Sequence, residues 1–149
     1  WMLLRSTKTL ALRFQRHSDN AIAIARRLQD FSKVKSVIYP GLPSHSQHYL
    51  AARQQKNPSG DSIYGSMISF ECETLKERDE FLNKTRLFTL AESLGGVESL
   101  VCVPYDMTHV SVPSKIKKSM DLSPNLVRLS VGIEFIEDLI NDLAKALGE

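Results

Sequence analysis

The sequence predicts an α+β domain: a mostly antiparallel sheet of about four or five strands, covered on one side by helices. Three observations carry this. Two amphipathic helical patterns, Thr9–Leu28 and Phe135–Leu147, bracket the chain. Between them lie short β-branched or apolar runs, each stopped by glycine, proline or a polar cluster. Several connections are shorter than the roughly dozen residues that a parallel crossover needs, which favours antiparallel neighbours.

In the first helical pattern Leu10, Phe14, His17, Ala21, Ile24 and Leu28 recur at steps of four and three, so they share one face. Arg13, Arg16, Asp19, Asn20 and Arg27 take the other. Nothing in Met2–Leu4 caps a helix, so helix is expected to begin before Arg5. Val34–Tyr39 is a β-branched run stopped by Pro40-Gly41, and Gln47–Gln55 is helical in composition. Asn57–Asp61 reads as a turn and Ser66–Cys72 as a strand. Thr74 with Glu77 three residues on forms a capping box that opens a helix to Lys84. Thr85–Leu90 and Glu98–Val103 are expected strands around the Gly95-Gly96 break. Pro113–Met120 is one or two helical turns, and Leu126–Val131 is a strand closed by Gly132. The last helix puts Ile136, Leu139, Ile140, Leu143 and Leu147 on one face. Acidic residues stand early in it and Lys145 late, as the helix dipole favours.

A chain of 149 residues with 42% hydrophobic and 24% charged residues has the size and composition of one globular domain, 1–149. No apolar run approaches the roughly 20 residues of a membrane span, and the N-terminus lacks a signal-peptide pattern. A cytoplasmic protein that binds no membrane is the expectation. Cys72 and Cys102 stand in apolar surroundings and are read as buried free thiols. The net charge of +2 hides an imbalance of +8 over residues 1–57 and −6 over residues 58–149. The basic residues lack aromatic interleaving, so a solvated face or an acidic neighbouring domain is favoured over nucleic acid.

Several chemistries find no support. His45 and His48 have no nearby third ligand, so no metal site is expected. No nucleophile elbow is present. Gly95-Gly96 lacks the Lys-Ser/Thr of a phosphate loop, and Lys115, Lys117 and Lys118 read as a solvated turn. Two features remain. The segment Leu90–Leu100 sets Glu92, Glu98, Ser93 and Ser99 around two glycines, a backbone able to aim amides and hydroxyls at a polar ligand or simply to form a bulge. Alternation in Leu126–Val131 puts Val127, Leu129 and Val131 on one face and Leu126, Arg128 and Ser130 on the other. A guanidinium in so apolar a strand wants a bidentate carboxylate, supplied by Glu92, Glu98 or a bound substrate.

At these residues the sequence resembles the C-terminal domain of the transsulfuration enzymes of the Cys/Met-metabolism pyridoxal-phosphate (PLP) family, most of all the cystathionine γ-lyase type. The matching stretches include Arg16-His17 with Asn20-Ala21, Tyr39-Pro40-Gly41-Leu42-Pro43-Ser44-His45 and Gly65-Ser66-Met67-Ile68-Ser69-Phe70. Leu87–Gly96, Met107-Thr108-His109 and Leu126–Glu134 complete the set, in the family's order and over nearly the whole chain.

The resemblance implies the small C-terminal domain of a fold-type I PLP enzyme, part of a homotetramer that acts on a small amino-acid substrate. PLP would be bound by a large domain that precedes this region. Neither a catalytic nor a cofactor-binding residue is expected within the chain, which alone would be inactive. Trp1 would lie in the helix joining the two domains. The γ-lyase reaction would convert cystathionine to cysteine, 2-oxobutyrate and ammonia, with PLP as electron sink. By the same resemblance Arg128 would clamp the substrate α-carboxylate, Ser93 would line that pocket, Glu92 would face the distal end of the substrate, and Thr108 would form part of the wall. Glu92 stands where β-lyases commonly have tyrosine, which favours γ chemistry. A γ-synthase or β-lyase relative, or a non-catalytic module that pairs with full-length subunits, are the alternatives.

Overall fold

The computed structural model describes residues 1–149. Two helices open the chain, α1 (Met2–Thr7) and α2 (Leu10–Leu28), followed by β1 (Val34–Ile38), α3 (His48–Gln54) and β2 (Met67–Cys72). Next come α4 (Leu75–Lys84), β3 (Thr89–Leu90), β4 (Leu100–Cys102), α5 (Ser114–Ser119), β5 (Leu126–Ser130) and α6 (Ile136–Leu147). The strands form one sheet in the order β1-β2-β5-β4-β3. All neighbours are antiparallel except β3 and β4.

Strand alternation builds the core. Ile68, Phe70 and Cys72 of β2 and Val127, Leu129 and Val131 on and just past β5 are buried on one face. There they meet Ala21, Ile24 and Leu28 of α2, Phe81 of α4 and Leu139, Leu143 and Leu147 of α6. Phe70 and Phe81 meet edge-on at 5.4 Å. The capping box forms as its spacing implies: Thr74 Oγ1 accepts from the Glu77 amide at 3.2 Å, and Glu77 Oε2 accepts from the Thr74 amide at 3.0 Å.

Four details differ from the sequence reading. Leu10 and Phe14 lie on the predicted apolar stripe, yet both are exposed: the buried part of α2 begins only at His17. Asn20, assigned to the outer face, is buried with its amide donating to the Gly132 and Glu134 carbonyls at 3.1 and 3.0 Å. The strand expected over Thr85–Leu90 shrinks to Thr89–Leu90. The amides of Arg86, Leu87 and Phe88 turn to the Asp142 carboxylate instead of a neighbouring strand. Finally, β3 and β4 pair in parallel although only Ala91–Ser99 joins them. A two-residue strand needs no helical crossover, and the short link arches across the open face of the sheet.

Both cysteines are free and buried, Cys72 fully and Cys102 at 1% exposure. Burial pushes the Cys72 thiol from 9.0 up to about 12, and pushes Cys102 upward as well. A thiol-specific chromogenic reagent at pH 8 should therefore label neither residue in the native chain and both after denaturation. Rapid labelling of native Cys72 would contradict the packing. The raised value also fixes a sign: the stability linked to Cys72 is complete below pH 9 and is lost as pH climbs toward 12.

Candidate functional site

The face of β5 opposite the core carries Arg128 and Ser130, and the link Ala91–Ser99 lies over it as a strap. The strap touches down at regular intervals. Arg128 Nη2 donates to the Glu92 carbonyl at 2.9 Å. Two residues on, Ser130 Oγ accepts from the Gly95 amide at 2.9 Å. Past the strand, the Ile133 amide donates to the Val97 carbonyl at 2.9 Å. Gly132 lies under that last contact, where a β-carbon would collide with the Val97 carbonyl oxygen. Gly95 makes the turn at φ +75°, a left-handed conformation that glycine adopts without strain.

The far end of the strap is tied down by a polar cluster. Glu134 accepts from the Ser99 amide at 2.7 Å and from the Ser99 hydroxyl at 2.9 Å, while Ser99 Oγ accepts from the Gly132 amide at 2.9 Å. From α2, His17 Nδ1 donates to the Val131 carbonyl at 2.6 Å, beside the Asn20 bonds already described. Buried polar groups of this kind hold geometry because each would be costly unpaired. The sequence offers Ser99 only as one of the strap's hydroxyls and gives His17, Ser130 and Glu134 no part in the site; His17, a polar side chain on the apolar stripe of α2, is the one whose position signals it.

The four candidate residues fall in different settings. Arg128 is half-buried and takes part in none of the protein's ion pairs. The carboxylate partner offered from Glu92 or Glu98 is thus not found: Glu92 supplies its backbone carbonyl, and the Glu98 carboxylate folds over Gly96. Both glutamates are exposed at the strap surface, where water already solvates them. Ser93 is exposed between the two anchor points Glu92 and Gly95.

Thr108 is exposed on the connection from β4 to α5, its hydroxyl 2.7 Å from His109 Nδ1. Arg78 ties that connection to the link that follows α5, donating to Asp106 at 2.7 Å and to the Pro124 carbonyl. Burial works against the Arg78 charge, and Asp79 and Asp106 more than restore it. The structure thus brings Arg128, Glu92 and Ser93 together and leaves Thr108 on a separate segment.

Beneath the guanidinium, Cys102 is the register partner of Arg128. Its thiol is raised by burial and pulled partly back by the Arg128 charge. A cleft of about 530 Å³ lined by Tyr105, Ser114, Lys118, Asp121 and Ser123 contains none of the four candidates. Arg128 and the strap therefore form an open face that can hold an anion from one side. His45 and His48 are otherwise engaged: His45 Nδ1 accepts from the Gln47 amide at 3.1 Å, and His48 donates to the Pro40 carbonyl at 2.8 Å and stacks on Tyr64.

The profile of the family described as Cys/Met metabolism PLP-dependent enzyme matches residues 1–148. Over 148 residues the chain is 48% identical to the cystathionine β-lyase of Coxiella burnetii, covering 99% of this chain and 37% of that protein. Identity to the cystathionine γ-lyase of Dictyostelium discoideum is 47% over 148 residues, with the same shares. The crystal structure of cystathionine γ-synthase from Xanthomonas oryzae pv. oryzae in complex with cystathionine matches with a TM-score of 0.88 at 43% identity, over 97% of this chain and 36% of that one. The chain thus spans about 37% of the length of the curated relatives it matches. Enzymes of three different reactions stand equally near, so the preference for the γ-lyase type is not supported over the other two. With the α+β fold, the strap over β5 and a match from end to end, the chain belongs to the Cys/Met-metabolism PLP-dependent enzymes.

Proposed function

We propose that this chain is the substrate-carboxylate-binding C-terminal domain of a transsulfuration enzyme that makes or breaks a carbon–sulfur bond in cystathionine or a close relative. One observation carries the reading. Arg128 is a guanidinium with no carboxylate partner in its own chain, oriented by the Glu92 backbone carbonyl with the Cys102 thiol beneath it, and free to receive one. A fork held in that way binds a planar carboxylate bidentately and fixes the direction in which the rest of the amino acid points. Ser93, on the same strap, would add a hydroxyl to the carboxylate pocket, and Glu92 would face the distal part of the substrate. Thr108 would join the wall once the remaining enzyme closes the face.

The family's cofactor, pyridoxal phosphate, supplies an electron sink for carbanions of the substrate. The buried lysine of this chain does not fit its anchoring. Lys117 is the buried one, and its Nζ is already given to the Tyr105 carbonyl at 2.8 Å and lies over the Tyr105 ring at 4.1 Å. A lysine-bearing large domain is thus the partner this chain would need, and a homotetramer is the assembly we propose for the whole enzyme. Among the reactions, γ-synthase and β-lyase chemistry are carried beside γ-lyase: the relatives include a β-lyase at 48% identity and a γ-lyase at 47%, and a γ-synthase structure was solved with cystathionine.

The test is to add pyridoxal phosphate and cystathionine to the isolated chain. The expected result is neither the visible absorbance of lysine-bound cofactor nor any oxo-acid product. Supplying the complementary large domain should restore turnover, with pyruvate marking cleavage at Cβ and 2-oxobutyrate cleavage at Cγ. Turnover by the isolated chain would overturn the assignment of roles.

A further inference from the structure

Arg128 is oriented by a backbone carbonyl, so its aim depends on whatever fixes the strap. Along the open face of β5, residues two apart stand side by side. Arg128 takes the Glu92 carbonyl and Ser130 takes the Gly95 amide, each at 2.9 Å. The Arg128 contact is half open to solvent, whereas Ser130 is 2% exposed. The serine hydroxyl therefore holds the inner side of the strap, directly beneath the left-handed turn at Gly95 (φ +75°). Between the two contacts the chain is only Glu92-Ser93-Leu94-Gly95. With Gly95 pinned, the Glu92 carbonyl and the Ser93 side chain have little freedom relative to the guanidinium.

We infer that Ser130 is a positioning residue for substrate binding: through the Gly95 amide it holds the strap that aims Arg128 and Ser93 at the substrate carboxylate. This rests on the carboxylate-clamp reading above. The hydroxyl does no chemistry and touches no substrate. It removes conformations in which the strap lifts and the Arg128 fork turns to solvent, so the ordering is complete before the substrate arrives. Glu134, through Ser99, and the Ile133 amide, through the Val97 carbonyl, tie the other end, so that Ser130 is the side-chain anchor nearest Glu92 and Ser93.

The test uses the assembled enzyme with cystathionine and compares Ser130→Ala, Ser130→Thr and Arg128→Gln. Losing one ordinary hydrogen bond corresponds to about a five-fold rise in KM for Ser130→Ala, with kcat within about two-fold. Ser130→Thr keeps the hydroxyl and should restore KM, an outcome that a merely structural role for side-chain volume would not produce. Should the alanine variant fail to fold, Gly95→Ala takes its place. A β-carbon there meets nothing within 4 Å, so it strains only the turn and should raise KM in the same way. An unchanged KM in the alanine variants, or no rescue by threonine, overturns the role of Ser130 while Arg128→Gln still raises KM. If Arg128→Gln itself leaves KM unchanged, the carboxylate-clamp reading falls, and this inference with it.

Discussion

If Arg128 clamps the substrate carboxylate as proposed, Arg128→Gln in the assembled enzyme should lower kcat/KM for cystathionine by about a hundred- to a thousand-fold, the equivalent of the roughly 3–4 kcal/mol carried by a desolvated, charge-assisted bidentate pair. Most of the loss should appear in KM, since the substrate carboxylate is bound before the reaction and stays bound through it. Arg128→Lys keeps the charge and loses the planar fork, so a smaller loss, about ten- to fifty-fold, is expected. The control is a substrate whose α-carboxylate is replaced by a carboxamide. Wild type should handle it poorly, and Arg128→Gln should handle it no worse, because the charge that the proposed clamp would recognise is gone. If the variant loses the same factor on acid and amide, Arg128 acts through the fold. Its partner in the free chain is a neutral carbonyl, so removing the guanidinium strands no buried carboxylate and the free domain should keep its stability.

Much of this architecture is legible in the amino-acid sequence. Apolar periodicity places α2 and α6, and the alternation of Leu126–Val131 assigns Arg128 correctly to the face away from the core. What local pattern does not carry is where backbone polar groups find partners across the chain. The Asp142 carboxylate, more than fifty residues away, diverts the amides that would otherwise have lengthened β3. Glu134 does the same for the Ser99 amide ahead of β4. Asn20 reads as a surface residue because its neighbours Arg16, Asp19 and Arg27 are charged, yet it meets two carbonyls beyond β5. At the site, charge complementarity points from Arg128 to nearby glutamates. That logic fails for side chains already solvated at the surface of a strap, while the main-chain carbonyl stands directly over the strand. Local pattern fixes faces and periods; long-range pairing of polar groups fixes where strands stop and how the strap lies.

Asp142→Ala should cost about 3–4 kcal/mol of unfolding free energy without removing any side chain of the proposed substrate face. Asp142 sits on α6 at 8% exposure, and its carboxylate faces a run of three consecutive amides. Oδ1 accepts from Arg86 at 2.9 Å, and Oδ2 from Leu87 at 2.9 Å and Phe88 at 3.2 Å. Alanine would leave these donors without their acceptor; Phe88 is 1% exposed, so its amide above all is cut off from water, while Arg86 and Leu87 stand nearer solvent. Each unmet donor costs ~1–3 kcal/mol, and partial relaxation keeps the total below a simple sum. Asparagine retains one oxygen but turns an NH₂ toward donors, so about 2 kcal/mol is expected for Asp142→Asn. The neighbouring Asn141 is exposed, and Asn141→Ala should stay within ~0.5 kcal/mol. Urea unfolding checks this through a lower midpoint at an unchanged slope. The same contact reaches the site, since Phe88 leads directly into β3, which pairs with β4 and opens into the strap. Loosening it should speed hydrogen exchange at the Thr89 and Ala91 amides, which bond to the Ser99 and Val101 carbonyls at 3.1 and 2.9 Å. If Asp142→Ala costs less than ~1 kcal/mol, water reaches these amides and the carboxylate is not what bends the chain away from the sheet.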